Sequence, residues 1–221
     1  MLRKETVSSS LLESLASLME MNSIKTHRLV GGTALALQLG HRISLDIDLF
    51  SDHKNDYEEI QEELYMKFGN RFSKGRNINN AFSRGIAVYI NEITTDILDW
   101  KVRFIRPVLL DEQIRMASKE DIIPMKFNTF LCSPEFARYE KKDFVDIANL
   151  MKEFSLEQMI SLYNEKYPHE QMSSRLMLEG LQLSEMADKK VMPKILNNES
   201  WGDIKKQIEK SIALFIARHT G

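Results

Sequence analysis

Leu29 to Ser51 reads LVGGTALALQLGHRISLDIDLFS. Two glycines open an apolar, helix-forming run, and an Asp-x-Asp closes the stretch among Leu, Ile and Phe. Those apolar neighbours predict a strand, and a strand sends alternate residues to one face, so Asp46 and Asp48 point the same way. Two like charges that close repel, and partial burial strengthens the repulsion. The pattern therefore calls for a cation between them. Upstream, a tight turn at Gly31 and Gly32 lets backbone N–H groups approach an anion at the N-terminus of the TALALQL helix, with the Thr33 hydroxyl beside them. Asp46 and Asp48 are oxygen donors suited to Mg²⁺. Amides that cradle phosphate beside paired carboxylates suit a metal-bound polyphosphate, and hence nucleotidyl transfer with metals clamping the attacking and leaving oxygens.

Such chemistry wants a third carboxylate, and the later strand-forming segment offers Asp96 and Asp99. Their odd spacing puts them on opposite faces of a strand, so only one can join the pair. Asp96, framed by β-formers in ITTDIL, is the choice over Asp99, which sits beside Trp100 at a turn. In this reading Asp96 is both the third ligand and the base for the incoming hydroxyl.

Working outward, the first half alternates. A helix is expected from about Ser9 to Ser23, with Leu11, Leu12, Leu15, Leu18 and Met19 on one face. HRLVG is a short strand, Gly40 a C-cap and SLDIDLF the next strand. NDYEEIQEELYMKF is a helix with Ile60, Leu64 and Phe68 inward. SKGRNINN reads as a loop, and RGIAVYINEI and TTDILDWKVRFI as strands. From about Ala117 every segment shows helical spacing, with capping-box or near-capping-box pairs at Ser118/Asp121, Ser155/Gln158 and Ser200/Asp203. The expected architecture is α+β: a mixed-sheet domain over 1–115, then an all-helical domain over 116–221 that completes a cleft at the carboxylates.

Composition sets outer limits. The 221 residues are 43% apolar and 28% charged, ordinary for a globular protein. A formal charge of −2 argues against coating nucleic acid by bulk charge. Lys74, Arg76, Arg84, Lys101, Arg103 and Arg106 nevertheless cluster in the strand half, where they can line a channel for RNA phosphates. The single cysteine, Cys132, excludes an internal disulfide and reads as a buried structural thiol at a helix end. His27 and His41 lack metal-ligand spacing and read as structural or exposed. No stretch reaches the length of a membrane span, and the start is an amphipathic helix rather than a signal peptide, so the cytoplasm is the expected location.

GGTALALQLGHRISLDIDLF, TTDIL, IIPMKFNTF and KKDFVDIANL, in that order over about Val30 to Leu150, resemble the AbiEii/AbiGii group of nucleotidyltransferases. These are bacterial proteins of the polymerase-β-like fold, many of them toxins of toxin–antitoxin pairs. The resemblance implies that Gly31, Gly32 and Thr33 bind phosphate, that Asp46 and Asp48 hold Mg²⁺ or Mn²⁺, and that Arg42 and Ser44 form the R-x-S leading into them. It implies that Lys126 meets the nucleotide phosphates. Lys142, Asp143 and Asp146 match a KD-x-x-D block beside the site, and Asp143 and Asp146 share a helix face. Lys142 adds a point charge for phosphate. An NTP is the implied co-substrate, with pyrophosphate released. The implied acceptor is tRNA or a protein hydroxyl, and the implied partner an antitoxin. A small-molecule acceptor and a non-catalytic nucleotide- or partner-binding module are the competing readings. Lys126 and Asp143 are expected to face the same cleft as Asp46.

Overall fold

The computed structural model describes residues 1–80, 83–131, 139–170 and 173–219. The chain forms two compact units. The first comprises Met1–Gln38 with Ser44–Ser118, and the second Leu39–Ile43 with Lys119–Gly221. Cys132 lies outside the described residues.

In the first unit, α1 (Ser9–Met19) starts where the Ser8 hydroxyl accepts from the Leu11 N–H, and it buries Leu11, Leu15, Leu18 and Met19. It ends at Met19, short of the expected Ser23. Then come β1 (Arg28–Leu29), α2 (Gly31–Leu39), β2 (Ile47–Ser51) and α3 (Tyr57–Phe68). The Asp56 carboxylate caps α3 by accepting from the N–H groups of Glu58 and Glu59, and the helix buries Ile60, Leu64 and Phe68. Five further strands follow: β3 (Phe72–Asn79), β4 (Ser83–Ile90), β5 (Ile93–Trp100), β6 (Leu109–Asp111) and β7 (Ile114–Met116). All seven join one sheet in the order β3-β4-β5-β2-β1-β7-β6. β2 runs parallel to β5 and β1 parallel to β7, while the other pairs are antiparallel, so the sheet is mixed. Two hairpins turn on paired residues of positive φ, Asn91–Glu92 and Glu112–Gln113, the backbone that two-residue turns require.

Two expectations need correction. SKGRNINN is not a loop but most of β3. It lacks the alternating apolar pattern because it is the outermost strand, with one neighbour and nearly all its side chains in solvent. β6 and β7 occupy the stretch where the chain was expected to change character. Three-residue strands are too short to display a period of two.

The described residues of the second unit are mostly helical, in α4 (Lys119–Leu131), α5 (Lys141–Leu150), α6 (Leu156–Lys166), α7 (Ser174–Gln182) and α8 (Trp201–His219). Ser155 and Gln158 form a complete capping box on α6, and Ser200 and Asp203 exchange hydrogen bonds at the start of α8. α8 buries Ile204, Ile208, Ile212 and Phe215 at helical spacing, and α5 is buried continuously from Asp143 to Leu150. Among the described residues no helix is long and apolar enough to cross a membrane.

Charge is also locked in the interior of this unit. Lys166 Nζ of α6 stands 2.7 Å from Asp121 Oδ1 of α4, with both side chains 0% exposed. Removing one member of a buried pair leaves the other as an uncompensated charge. Lys166→Ala should therefore cost about 3–5 kcal/mol in urea denaturation. The double variant Asp121→Leu/Lys166→Met should regain most of that loss.

Candidate active site

In the first unit the carboxylates gather on one face of the sheet. The parallel register of β2 and β5 pairs Asp48 with Asp96 directly. Asp46 stands two residues ahead of Asp48, just before β2 begins. Asp48 and Asp96 are both half-buried. The Asp96 carboxyl is held above its ordinary value, chiefly by burial and further by the charge of Asp46, with Arg76 opposing both. Asp99 lies on the opposite face, where Asn55 donates to its carboxylate from Nδ2 at 2.7 Å and from the backbone at 3.1 Å.

The glycine turn meets this face at Asp48. Gly31 has φ +66°, and a Cβ there would lie 2.5 Å from Asp48 Oδ2, so both backbone and space require glycine. The Val30 N–H donates to the Asp48 carbonyl at 2.9 Å, tying the turn to β2. The buried Thr33 hydroxyl donates to the Asp46 carbonyl, with Ser44 Oγ 2.9 Å from Thr33 Oγ1. These two side chains pin the entry of β2 to α2. Among the described residues, no three His, Cys, Asp or Glu side chains are gathered as a metal cage. The donors fit a hard cation in kind, as three carboxylate oxygens do.

Arg42, Lys126 and Asp143 belong to the second unit, where the structure joins them around Asp146. Arg42 donates to Asp146 twice, from Nε to Oδ1 at 2.7 Å and from Nη2 to Oδ2 at 2.9 Å, a fork-on-carboxylate geometry. His41 Nε2 lies 2.7 Å from Asp146 Oδ1. Lys126 Nζ stands 2.6 Å from Asp146 Oδ2 and 2.8 Å from Asp143 Oδ1. Both carboxylates are 0% exposed, and Lys126 is 7% exposed. Lys142, next to Asp143 on α5, is half-buried. The backbone secures the same stretch: Ile43 N donates to Lys194 O at 2.8 Å and Leu196 N to His41 O at 2.9 Å.

Burial alone would raise the Asp146 carboxyl, yet Arg42, Lys126 and the His41 hydrogen bond carry it well below its ordinary 3.8. Burial alone would lower Lys126, yet Asp143 and Asp146 raise it above its ordinary 10.5. A depressed carboxyl contributes stability above its unfolded pKa and loses it as pH falls through the folded value. A raised lysine contributes below its unfolded pKa and loses it as pH rises through the folded value. The two windows overlap across the whole neutral range. Asp146→Asn should accordingly cost about 3–5 kcal/mol. Thermal unfolding at about pH 7, where Asp146 and Lys126 are both charged in the folded protein, should read that loss, and an unchanged melting temperature would show that the group adds nothing.

The model of the nucleotidyl transferase AbiEii toxin family, type IV toxin–antitoxin system, matches residues 15–215. No curated protein matches the sequence. Among solved structures, a provisionally assigned nucleotidyltransferase from H. pylori is similar at a TM-score of 0.55 and 16% identity, over 94% of this chain and 92% of that one. JHP933 from Helicobacter pylori aligns at a TM-score of 0.45 and 18% identity, over 96% and 99% of the two chains. An antigenic nucleotidyltransferase-like protein from Paracoccidioides brasiliensis aligns at 0.45 and 16%, over 83% and 95%. The first of these shows a shared fold. The family match spans most of the sequence, and the chain belongs to the AbiEii family of nucleotidyl transferase toxins.

Proposed function

We propose that this nucleotidyltransferase moves a nucleoside monophosphate from an NTP to an acceptor hydroxyl, with Asp46, Asp48 and Asp96 holding Mg²⁺ or Mn²⁺. The observation that carries the reading is the β2–β5 register, which sets Asp48 beside Asp96, with the Gly31 turn pressed against Asp48. When bound, the metal supplies Lewis-acid charge to the phosphate oxygens and lowers the barrier to displacement. The acceptor oxygen attacks the α-phosphorus, the bond to the β-phosphate oxygen breaks, and pyrophosphate leaves. Asp96 takes the acceptor's proton.

The amides of Gly31 and Gly32, at the positive end of α2, receive the donor phosphates. Thr33 and Ser44 hold β2 so that its carboxylates keep their direction. Lys142 remains the lysine with a phosphate role in this reading. Arg42, Lys126 and Asp143 serve by building: their charged atoms are engaged with one another around Asp146. In this reading the acceptor is tRNA or a protein hydroxyl, the cellular effect growth arrest and the compartment the cytoplasm; the type IV toxin–antitoxin family supports an antitoxin as partner.

The test is transfer of label from each α-labelled NTP to total cell RNA, protein and small acceptors, with and without Mg²⁺. Asp48→Ala should lower transfer at least about 100-fold, because positioned charge supplies much of the rate in phosphoryl chemistry. Its melting temperature should be unchanged or slightly higher, since a repelling charge is removed. If the wild type arrests growth, this variant should not. Gly31→Ala should also cut transfer, at least about tenfold, because its Cβ takes the space of the Asp48 carboxylate. A wild type that binds Mg²⁺–NTP and transfers to nothing would favour the binding module instead.

A further inference from the structure

Side chains of directly paired residues share a face of the sheet. Ile86 and Val88 of β4 face the buried side with Ile97 and Thr95 of β5. Ala87 belongs to the opposite side, in one row with Asp96 and Asp48. Arg76 completes that row, since β3 sets it opposite Ala87.

It reaches that row through a bulge. Lys74 pairs with Val88, so an unbroken ladder would pair Gly75 with Ala87 and Arg76 with Ile86, sending Arg76 to the other face. The register instead shifts between Lys74 and Arg76, and the extra residue is Gly75. A Cβ on Gly75 would lie 2.4 Å from the Ala87 carbonyl oxygen, so only glycine fits the bulge. Ala87, with a single methyl, leaves the way over β4 open, and the charge of Arg76 acts on Asp96.

Position along the row gives this arginine its partner. The glycine turn follows β1, which adjoins β2 on the side away from β5. The sequence across the face is therefore donor cradle, Asp48, Asp96, Ala87, Arg76. At ordinary strand spacing Arg76 stands about 10 Å from β5 and about 14 Å from β2. In the transferase reading the donor phosphates take the far flank at the glycine turn, which leaves the side beyond Asp96 towards β3 for the body of the acceptor.

We infer that Arg76 is a specificity residue for the acceptor, receiving a phosphate group that the acceptor carries near its reacting hydroxyl. The inference rests on the transferase reading above. A planar guanidinium matches phosphate with paired donors, whereas a neutral acceptor would leave it nothing to bind. The phosphate belongs either to a small phosphorylated molecule or to a nucleic-acid strand.

Three probes separate these cases: uridine, uridine 5′-monophosphate and the trinucleotide UpUpU. Each is offered with Mg²⁺ and the preferred NTP to wild type, Arg76→Ala and Arg76→Lys. Binding of Mg²⁺–NTP should be equal in all three proteins. Transfer to the phosphate-bearing probes should fall about 10- to 100-fold in Arg76→Ala through a raised acceptor KM, as loss of a charge-assisted hydrogen bond requires. Arg76→Lys should recover most of it. Uridine should be a poor acceptor for all three. Use of UpUpU alone assigns a strand, and use of the monophosphate as well assigns a small phosphorylated acceptor. An Arg76→Ala protein that weakens NTP binding, or keeps the wild-type preference for phosphate-bearing probes, overturns the inference. If the wild type transfers to no probe, the transferase reading is in question and direct binding of UpUpU decides the role of Arg76: binding at least tenfold tighter by wild type than by Arg76→Ala sustains it, and equal binding overturns it.

Discussion

Asp146 is the point on which the second unit closes. One carboxylate, itself fully buried, accepts a two-pronged Arg42, lies against His41 and meets Lys126, all three of them buried. Arg42 and Lys126 meet Asp143 and Asp146 in one buried group of four charged side chains. Removing any one of the four leaves a buried charge in excess, so the group stands or fails together. What it holds is Leu39–Ile43, five residues that continue directly into Ser44, Asp46 and Asp48.

Buried ion pairs are poor stabilisers compared with apolar packing, but they tolerate few alternative arrangements. Among its described residues the second unit holds the Asp146 group and the Lys166–Asp121 pair. A helix such as α5, buried from Asp143 to Leu150, admits two carboxylates only in the one packing that brings them cations. Those cations come from α4 and from the Leu39–Ile43 stretch. Hydrophobic spacing fixes which side of α5 is inward, and charge fixes its depth and rotation.

How far these features can be read from sequence depends on their range. The Asp-x-Asp on a strand, the glycine turn and the helical second half all follow from periods of two and 3.6 residues. Parity along the strand said that only one of Asp96 and Asp99 could join the pair, the β-forming neighbours of Asp96 decided between them, and the register sets Asp96 against Asp48. β3 escaped because an edge strand in solvent shows no alternation, and the Gly75 bulge escaped because nothing marks an extra residue until the partner strand is known. The centre at Asp146 escaped for a different reason. Arg42 and His41 lie more than a hundred positions from it in sequence. The one available hint was arithmetical: two carboxylates, i and i+3 on an apolar helix, require two cations from elsewhere.

The two carboxylate groups of this protein respond to their neighbours in opposite senses. At Asp146 the cations outweigh burial, and the carboxyl is driven well below its ordinary range. At Asp96 burial and Asp46 outweigh Arg76, and the carboxyl stays above it. A carboxylate whose charge is already satisfied gains little from another cation and gives up nothing easily, which suits a strut. One whose charge is under-compensated gains from a cation or a proton, which suits a centre where both arrive and leave. The first group is sealed from solvent and the second half-exposed on an open row of the sheet, so access and electrostatics agree. The row that carries Asp48 and Asp96 is thus the one still open to a cation, and the buried group at Asp146 is the one whose cations are already in place.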